Sequence, residues 1–168
     1  MKVNIKKLHK DAVIPFKTYP SDFCYDVVAV SEEEIAPNVW KYGLGFALQI
    51  DRNKEICDVY IGATDGYGGD RVYLDRKMCF SIDLRPRSSI YKTGMILSNC
   101  TGTVDENYTN EISAVFYHVM PNMPRYKVGD KIGQINIGTT FPITFKEVSE
   151  LEERDRGLNG YGSTDSKQ

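Results

Sequence analysis

Short stretches of β-branched and aromatic residues, several of them alternating apolar with polar positions, recur along this chain. They fall at 27–30, 46–50, 57–61, 72–74, 79–84, 112–117 and 132–137. A period of two built from such residues is the pattern of a half-buried strand. Turn formers separate the stretches: Pro20-Ser21, Gly43, the run 66–70, Gly94, Pro121-Asn122 and Val128-Gly129-Asp130-Lys131. Many short strands at this spacing predict an all-β sandwich, jelly roll or barrel. Helix signals are few. Ser31-Glu32-Glu33-Glu34 has the Ser-x-x-Glu spacing of a capping box, and Pro37 limits any helix there to about one turn. The charged run 149–156 reads as a turn of helix or a linker. The stretch 51–77, with Gly66-Tyr67-Gly68-Gly69, reads as one or two hairpins with long loops. It has no Gly-Lys-Ser/Thr and is not a phosphate loop.

Composition narrows the class. A chain of 168 residues suits one domain and can bury a real core. Hydrophobic residues make up 41% and charged residues 26%, an ordinary soluble balance. The apolar runs are far shorter than the ~20 residues of a membrane span. The N-terminal Met-Lys-Val-Asn-Ile-Lys-Lys has no apolar core of a secretory signal, so a cytoplasmic location is expected. A formal net charge of −2 argues against nucleic acid as a partner and confines any phosphate contact to a local cluster. Cys24, Cys57, Cys79 and Cys100 show no C-x-x-C spacing, and only His9 and His118 could join them. Zinc is not expected; free thiols, mostly in the core, are.

Candidate chemistry lies in five places. Tyr25-Asp26 puts a carboxylate at the start of an apolar strand. Arg85-Pro86-Arg87-Ser88-Ser89 packs two guanidiniums and two hydroxyls into a short turn, donors suited to phosphate oxygens. Gly102-Thr103-Val104-Asp105-Glu106-Asn107-Tyr108 follows Asn99 and reads as a hairpin. Asp105 is either a turn former or a carboxylate base, Tyr108 an aromatic face for a sugar, and Asn99 an amide able to read a base edge. Gln134 is an amide on an otherwise apolar strand. The tail Arg156-Gly157-Leu158-Asn159-Gly160-Tyr161-Gly162-Ser163-Thr164 is too glycine-rich to favour helix or strand, yet carries a fork, a ring and two hydroxyls. It reads as a frayed end or as an arm that orders over a ligand.

In this order, the five segments resemble the motifs of the trimeric dUTP diphosphatase (dUTPase) family, from Tyr25 to Thr164. The resemblance implies a distorted β jelly-roll barrel at 1–148, with an inserted hairpin region at about 51–77, and a flexible C-terminal arm at 149–168. It implies a homotrimer whose active sites draw on all three subunits. The implied activity is Mg²⁺-dependent hydrolysis of dUTP to dUMP and diphosphate, which limits uracil in DNA and supplies dUMP. Asp105 would be the general base that activates a water against the α-phosphorus, a role open to an ionised carboxylate. Tyr108 would pack on the deoxyribose and exclude a 2′-hydroxyl. Asn99 and the backbone of Thr103 and Val104 would read uracil. Arg87, Ser88, Ser89 and Gln134 would bind phosphates, and Asp26 would hold Mg²⁺ through water. Arg156 would clamp the γ-phosphate beside Gly162, Ser163 and Thr164, and Tyr161, in place of the usual phenylalanine, would cover the base.

The chain departs from the family pattern at Ser89 and Asn110, both in place of glycine, at Leu158-Asn159, in place of a smaller pair, and at Gly133, in place of alanine. Asn110 is expected to tolerate a left-handed turn, and Gly133 is expected to be a mild change. The stretch 51–77 is longer than the compact pattern. Two other readings are a dCTP deaminase, which shares the fold but has glutamate where Asp105 stands, and a dUTPase-fold protein that also binds a protein partner through the 51–77 loops.

Overall fold

Alternation in Cys79–Arg85 becomes strand β6, which buries Phe80, Ile82 and Leu84 and leaves Ser81 and Asp83 half-covered on the other face. The computed structural model describes residues 2–51 and 79–154. The other strands are β1 (Lys2–Lys7), β2 (Tyr25–Val28), β3 (Ser31–Ala36), β4 (Val39–Gly43), β5 (Phe46–Asp51), β7 (Met95–Leu97), β8 (Gly102–Asp105), β9 (Ser113–His118) and β10 (Lys131–Thr140). A 3-10 turn spans Ser88–Lys92. One sheet has the order β2-β10-β6-β8, a second β3-β4-β9-β7, and β1 pairs with β5. All pairings are antiparallel. This is the all-β, jelly-roll-like architecture expected.

The core lies where the inner faces of the sheets meet, around Val27, Tyr42, Leu44, Phe46, Ile82, Ile112, Phe116 and Ile132, each almost wholly buried. Tyr42, Phe116 and Tyr126 form a triangle of edge-to-face rings, with centroids 5.4 to 6.3 Å apart. That geometry sets the positive edge of one ring against the negative face of the next. Burial raises the phenol pKa values of Tyr42 and Tyr126.

Strands with clear alternation form within a few residues of their expected bounds, whereas two local readings fail. Ser31–Ala36 is a strand, not a helical turn. Glu33 lies across from Lys41 and Glu34 from Trp40, and Glu34 Oε1 accepts a hydrogen bond from the Asn38 backbone at 2.9 Å. Asn38 adopts a left-handed φ of 60°, so the Ser-x-x-Glu spacing serves a β3–β4 hairpin. This edge strand is almost entirely exposed and charged, which removes the apolar alternation that would announce it. Likewise, Gly102–Asp105 does not pair with the strand that follows it; β8 joins β6, while β9 joins β4 and β7.

The expected strands 57–61 and 72–74, the 51–77 hairpins beyond Asp51, and Cys57 lie outside the described residues. Cys24 and Cys79 are half-buried and Cys100 is exposed, so none of these three is a core residue. Residues 149–154 are irregular and exposed rather than helical. Among the described residues no helix is long and apolar enough to cross a membrane.

A polar strap ties the 119–130 loop to the second sheet. Arg125 stacks on Trp40, 3.5 Å from the ring centroid. Its Nη2 meets Glu32 Oε1 at 3.1 Å, and its Nη1 donates to the Tyr126 carbonyl at 3.1 Å. The Tyr42 hydroxyl donates to the same carbonyl at 2.8 Å. The hydrogen bond from Arg125 holds the Glu32 carboxyl below the usual carboxylate range. Arg125→Met should therefore lower the unfolding free energy by roughly 1–3 kcal/mol, because Glu32 loses its main partner in a half-buried place. In the wild type this contribution is complete above the ordinary glutamate pKa of about 4.3 and is lost as pH falls through the lower folded value. Urea titrations across pH 3–6 should show that acid-side loss in the wild type and a shallower one in the variant.

Candidate active site

Asn99, Thr103, Val104, Asp105 and Tyr108 line one cavity of about 240 Å³, together with Leu84, Glu111 and Ile112. The local chain explains the convergence. β7 ends at Leu97, and Cys100 takes a left-handed φ of 57° that turns the backbone into β8. Asp105 closes β8 opposite Ser81, and the Tyr108 backbone donates to the Asp105 carbonyl at 3.0 Å to make the next turn. The Tyr108 hydroxyl then donates to the Glu111 carbonyl at 3.0 Å, which fixes the ring beside the cavity. A small pocket with the exposed Asp105 carboxylate, one aromatic wall and an amide can hold a flat polar ring and present a base to its substituent.

A second cluster forms at the start of β2. Asp26 Oδ1 meets Arg87 Nε at 3.2 Å, and its Oδ2 meets Lys131 Nζ at 2.9 Å. Two cations thus share one half-buried carboxylate, leaving an excess of positive charge suited to phosphate. The β10 register places Gln134 across from both Asp26 and Arg85, and its amide donates to the Pro86 carbonyl at 3.5 Å. Ser88 and Ser89 lie in the 3-10 turn just after Arg87. The expected phosphate residues therefore gather in one place, with Lys131 added.

The two clusters do not meet within the first sheet. β2 and β8 are its opposite edges, separated by β10 and β6. Three interstrand steps of about 4.8 Å place those edges about 14 Å apart.

Comparison with known proteins decides the class. The family described as dUTPase matches residues 79–165, more than half of the chain. The chain belongs to the dUTPase family. A deoxyuridine 5′-triphosphate nucleotidohydrolase of Clostridium kluyveri is 30% identical over 166 residues, covering 98% of each chain. Among solved structures, a Staphylococcus bacteriophage 80alpha dUTPase variant with dUpNHpp superposes with a TM-score of 0.70 at 18% identity, covering 97% of this chain and 98% of that one. A dUTPase variant from phage phi11 of S. aureus, described with a structural Mg(II) ion, has a TM-score of 0.63 at 15% identity, covering 91% of this chain and 100% of that one. At these identities the two structures attest the fold.

Within this dUTPase, two expected effects of the departures change. Asn110 is not left-handed; among the described non-glycine residues only Asn38 and Cys100 have positive φ. Its Oδ1 instead accepts from the Glu111 backbone at 2.8 Å, so the turn needs no glycine. Gly133 is tighter than expected, since a Cβ there would lie 3.0 Å from the Arg85 carbonyl and 3.2 Å from Leu84 Cδ1. Arg156, Tyr161, Gly162, Ser163, Thr164 and the Leu158-Asn159 pair lie outside the described residues.

The donors around Asp26 also bear on magnesium. A carboxylate offers about four acceptor positions, and two are directed at Arg87 and Lys131. Among the described residues no group of three or more His, Cys, Asp or Glu side chains converges. The described residues offer no direct ligand set for magnesium here, and Asp26 would reach an ion only through water.

Sequence reasoning missed Lys131 and Glu111. Lys131 was hidden in a turn that Gly129-Asp130 already explained, and Glu111 stands in an irregular loop with no periodic pattern. Asp26→Asn should release both cations and lower the unfolding free energy by roughly 1–2 kcal/mol, since hydrogen bonds between charged groups are the stronger kind. An unchanged urea midpoint would show that the two ion pairs carry no net stability.

Proposed function

We propose that this chain, a dUTP diphosphatase by family, hydrolyses dUTP to dUMP and diphosphate through a water that Asp105 directs at the α-phosphorus. The observation that carries this reading is the convergence of Asn99, Thr103, Val104, Asp105 and Tyr108 on one cavity. Uracil enters between the Asn99 amide and the 103–104 backbone, which match its donors and acceptors. The Tyr108 ring packs on the deoxyribose and leaves no room for a 2′-hydroxyl. Asp105, exposed at the end of β8, takes the proton of the attacking water. Arg87, Ser88, Ser89 and Gln134 bind the phosphates, with Asp26 aligning Arg87. Arg156 takes the γ-phosphate, Tyr161 covers the base, and Gly162, Ser163 and Thr164 complete the arm. Asp26 would hold magnesium through water, and the ion would supply neutralising charge for the phosphates.

The site is shared between copies in a homotrimer. Two observations support this. Asp26 of the phosphate cluster lies on β2 and the base-reading cluster on and around β8, the opposite edges of one sheet. Beyond β10, Phe141, Ile143, Phe145, Val148 and Leu151 are exposed, with Phe145 and Leu151 almost wholly so. Such a run of apolar side chains left in water points to a place on another copy.

Purified protein with Mg²⁺ should release dUMP and diphosphate from dUTP, read by chromatography. Ammonia from dCTP without dUMP from dUTP would move the activity to the deaminase class. Asp105→Asn should keep nucleotide binding and lose turnover by about 10²- to 10⁴-fold, the range of a general base. Removal of residues 155–168 should leave the unfolding curve intact and abolish most activity; near-normal turnover would return the tail to an ordinary frayed end.

A further inference from the structure

We propose that Glu111 is a positioning residue that sets discrimination against the 2′-hydroxyl by anchoring Tyr108 to the buried turn between β4 and β5. The proposal rests on the reading of Tyr108 as the wall against the sugar.

Glu111 makes contacts in two directions. Toward the cavity, its carbonyl accepts the Tyr108 hydroxyl at 3.0 Å. Toward the core, its Oε1 accepts the Gly45 backbone N–H at 2.8 Å. Gly45 is buried and holds φ at 72°, a conformation that other residues rarely adopt, so this turn has little freedom. The turn is held from other sides as well. Leu44 donates to the Ile112 carbonyl and Ile112 to the Phe46 carbonyl, both at 3.0 Å, while Leu8 and His9 donate to the Gly45 carbonyl at 2.7 and 3.0 Å. Ile112 itself is 1% exposed.

Tyr108, by contrast, is exposed, and the loop around it is irregular. Its hydroxyl bond to Glu111 is what ties this ring to the core. Gly43 adds a constraint, because a Cβ there would lie 2.5 Å from Glu111 Oε1. The Glu111 carboxylate thus rests directly against the Gly43 backbone and would have to shift if residue 43 carried a side chain. A wall that must distinguish hydrogen from hydroxyl on a sugar carbon works only if it cannot yield, and here its stiffness comes from residue 111.

The test compares Glu111→Ala, Glu111→Gln and Tyr108→Phe. Glutamine keeps an acceptor for Gly45, alanine removes it, and phenylalanine keeps the ring but drops its tether. Discrimination is read as the dUTP-to-UTP ratio of kcat/KM, and independently as the dUDP-to-UDP ratio of binding constants by calorimetry. Glu111→Ala and Tyr108→Phe should each lower that ratio by about ten-fold, chiefly through tighter acceptance of the ribonucleotide, and Glu111→Gln should restore it. Combining the first two should give little further loss, since both cut one linkage. A lower melting temperature with an unchanged ratio in Glu111→Ala would make the residue merely structural and overturn the proposal. If that variant does not fold, an unchanged ratio in Tyr108→Phe overturns it. Absence of dUMP release by the wild type would sink the hydrolytic reading instead, and the binding ratio would still decide the role of Glu111.

Discussion

The ladder between β10 and β6 is the constraint on which the rest of the site depends. It runs in continuous register from Gln134 opposite Arg85 to Thr140 opposite Cys79. Because β10 also pairs with β2, and β6 with β8, this central pair decides how far apart Asp26 and Asp105 stand. A one-residue slip of β10 against β6 would turn Ile135 away from the core beside Leu84 and put the polar Asn136 in its place. The register is thus defended by hydrophobic burial, and the chemistry at both sheet edges inherits its precision.

That arrangement makes two half-sites rather than one. At the β2 edge, Asp26 holds two cations that would otherwise repel each other, and so keeps positive charge concentrated without a net cost in repulsion. At the β8 edge, Asp105 stands in an open pocket beside an aromatic wall. Separating acid from cations preserves each for its task. A carboxylate paired directly with Arg87, as Asp26 is, has its oxygens already engaged.

Support for the pocket comes from behind it. The β4–β5 turn is buried, laced to Ile112 and gripped by Glu111, so the wall of the cavity is continuous with the core around Phe46 and Tyr42. The second sheet is also braced by the Arg125 strap at Glu32, Trp40 and Tyr42. An exposed, irregular stretch follows β10, beyond this scaffold.

Local pattern was enough for the strands that carry the core. Alternation marked β6 and β9, whose two faces meet different environments, and β-branched and aromatic runs marked β5 and β10. The five ordered motifs marked the family, since each carries a side-chain chemistry that a turn or strand does not otherwise require. Pattern could not mark β1 and β3, whose faces are both largely exposed, nor show that β8 leaves its neighbour in sequence to pair with β6. Nor could it separate Asp26 from a free acid, because Lys131 and Arg87 lie far from it in sequence. Residue type, then, determined the class of fold and the kinds of chemistry present. Only the tertiary structure decided which groups meet, because strand order and the long-range pairs at Asp26, Glu32 and Glu111 depend on contacts between residues remote along the chain.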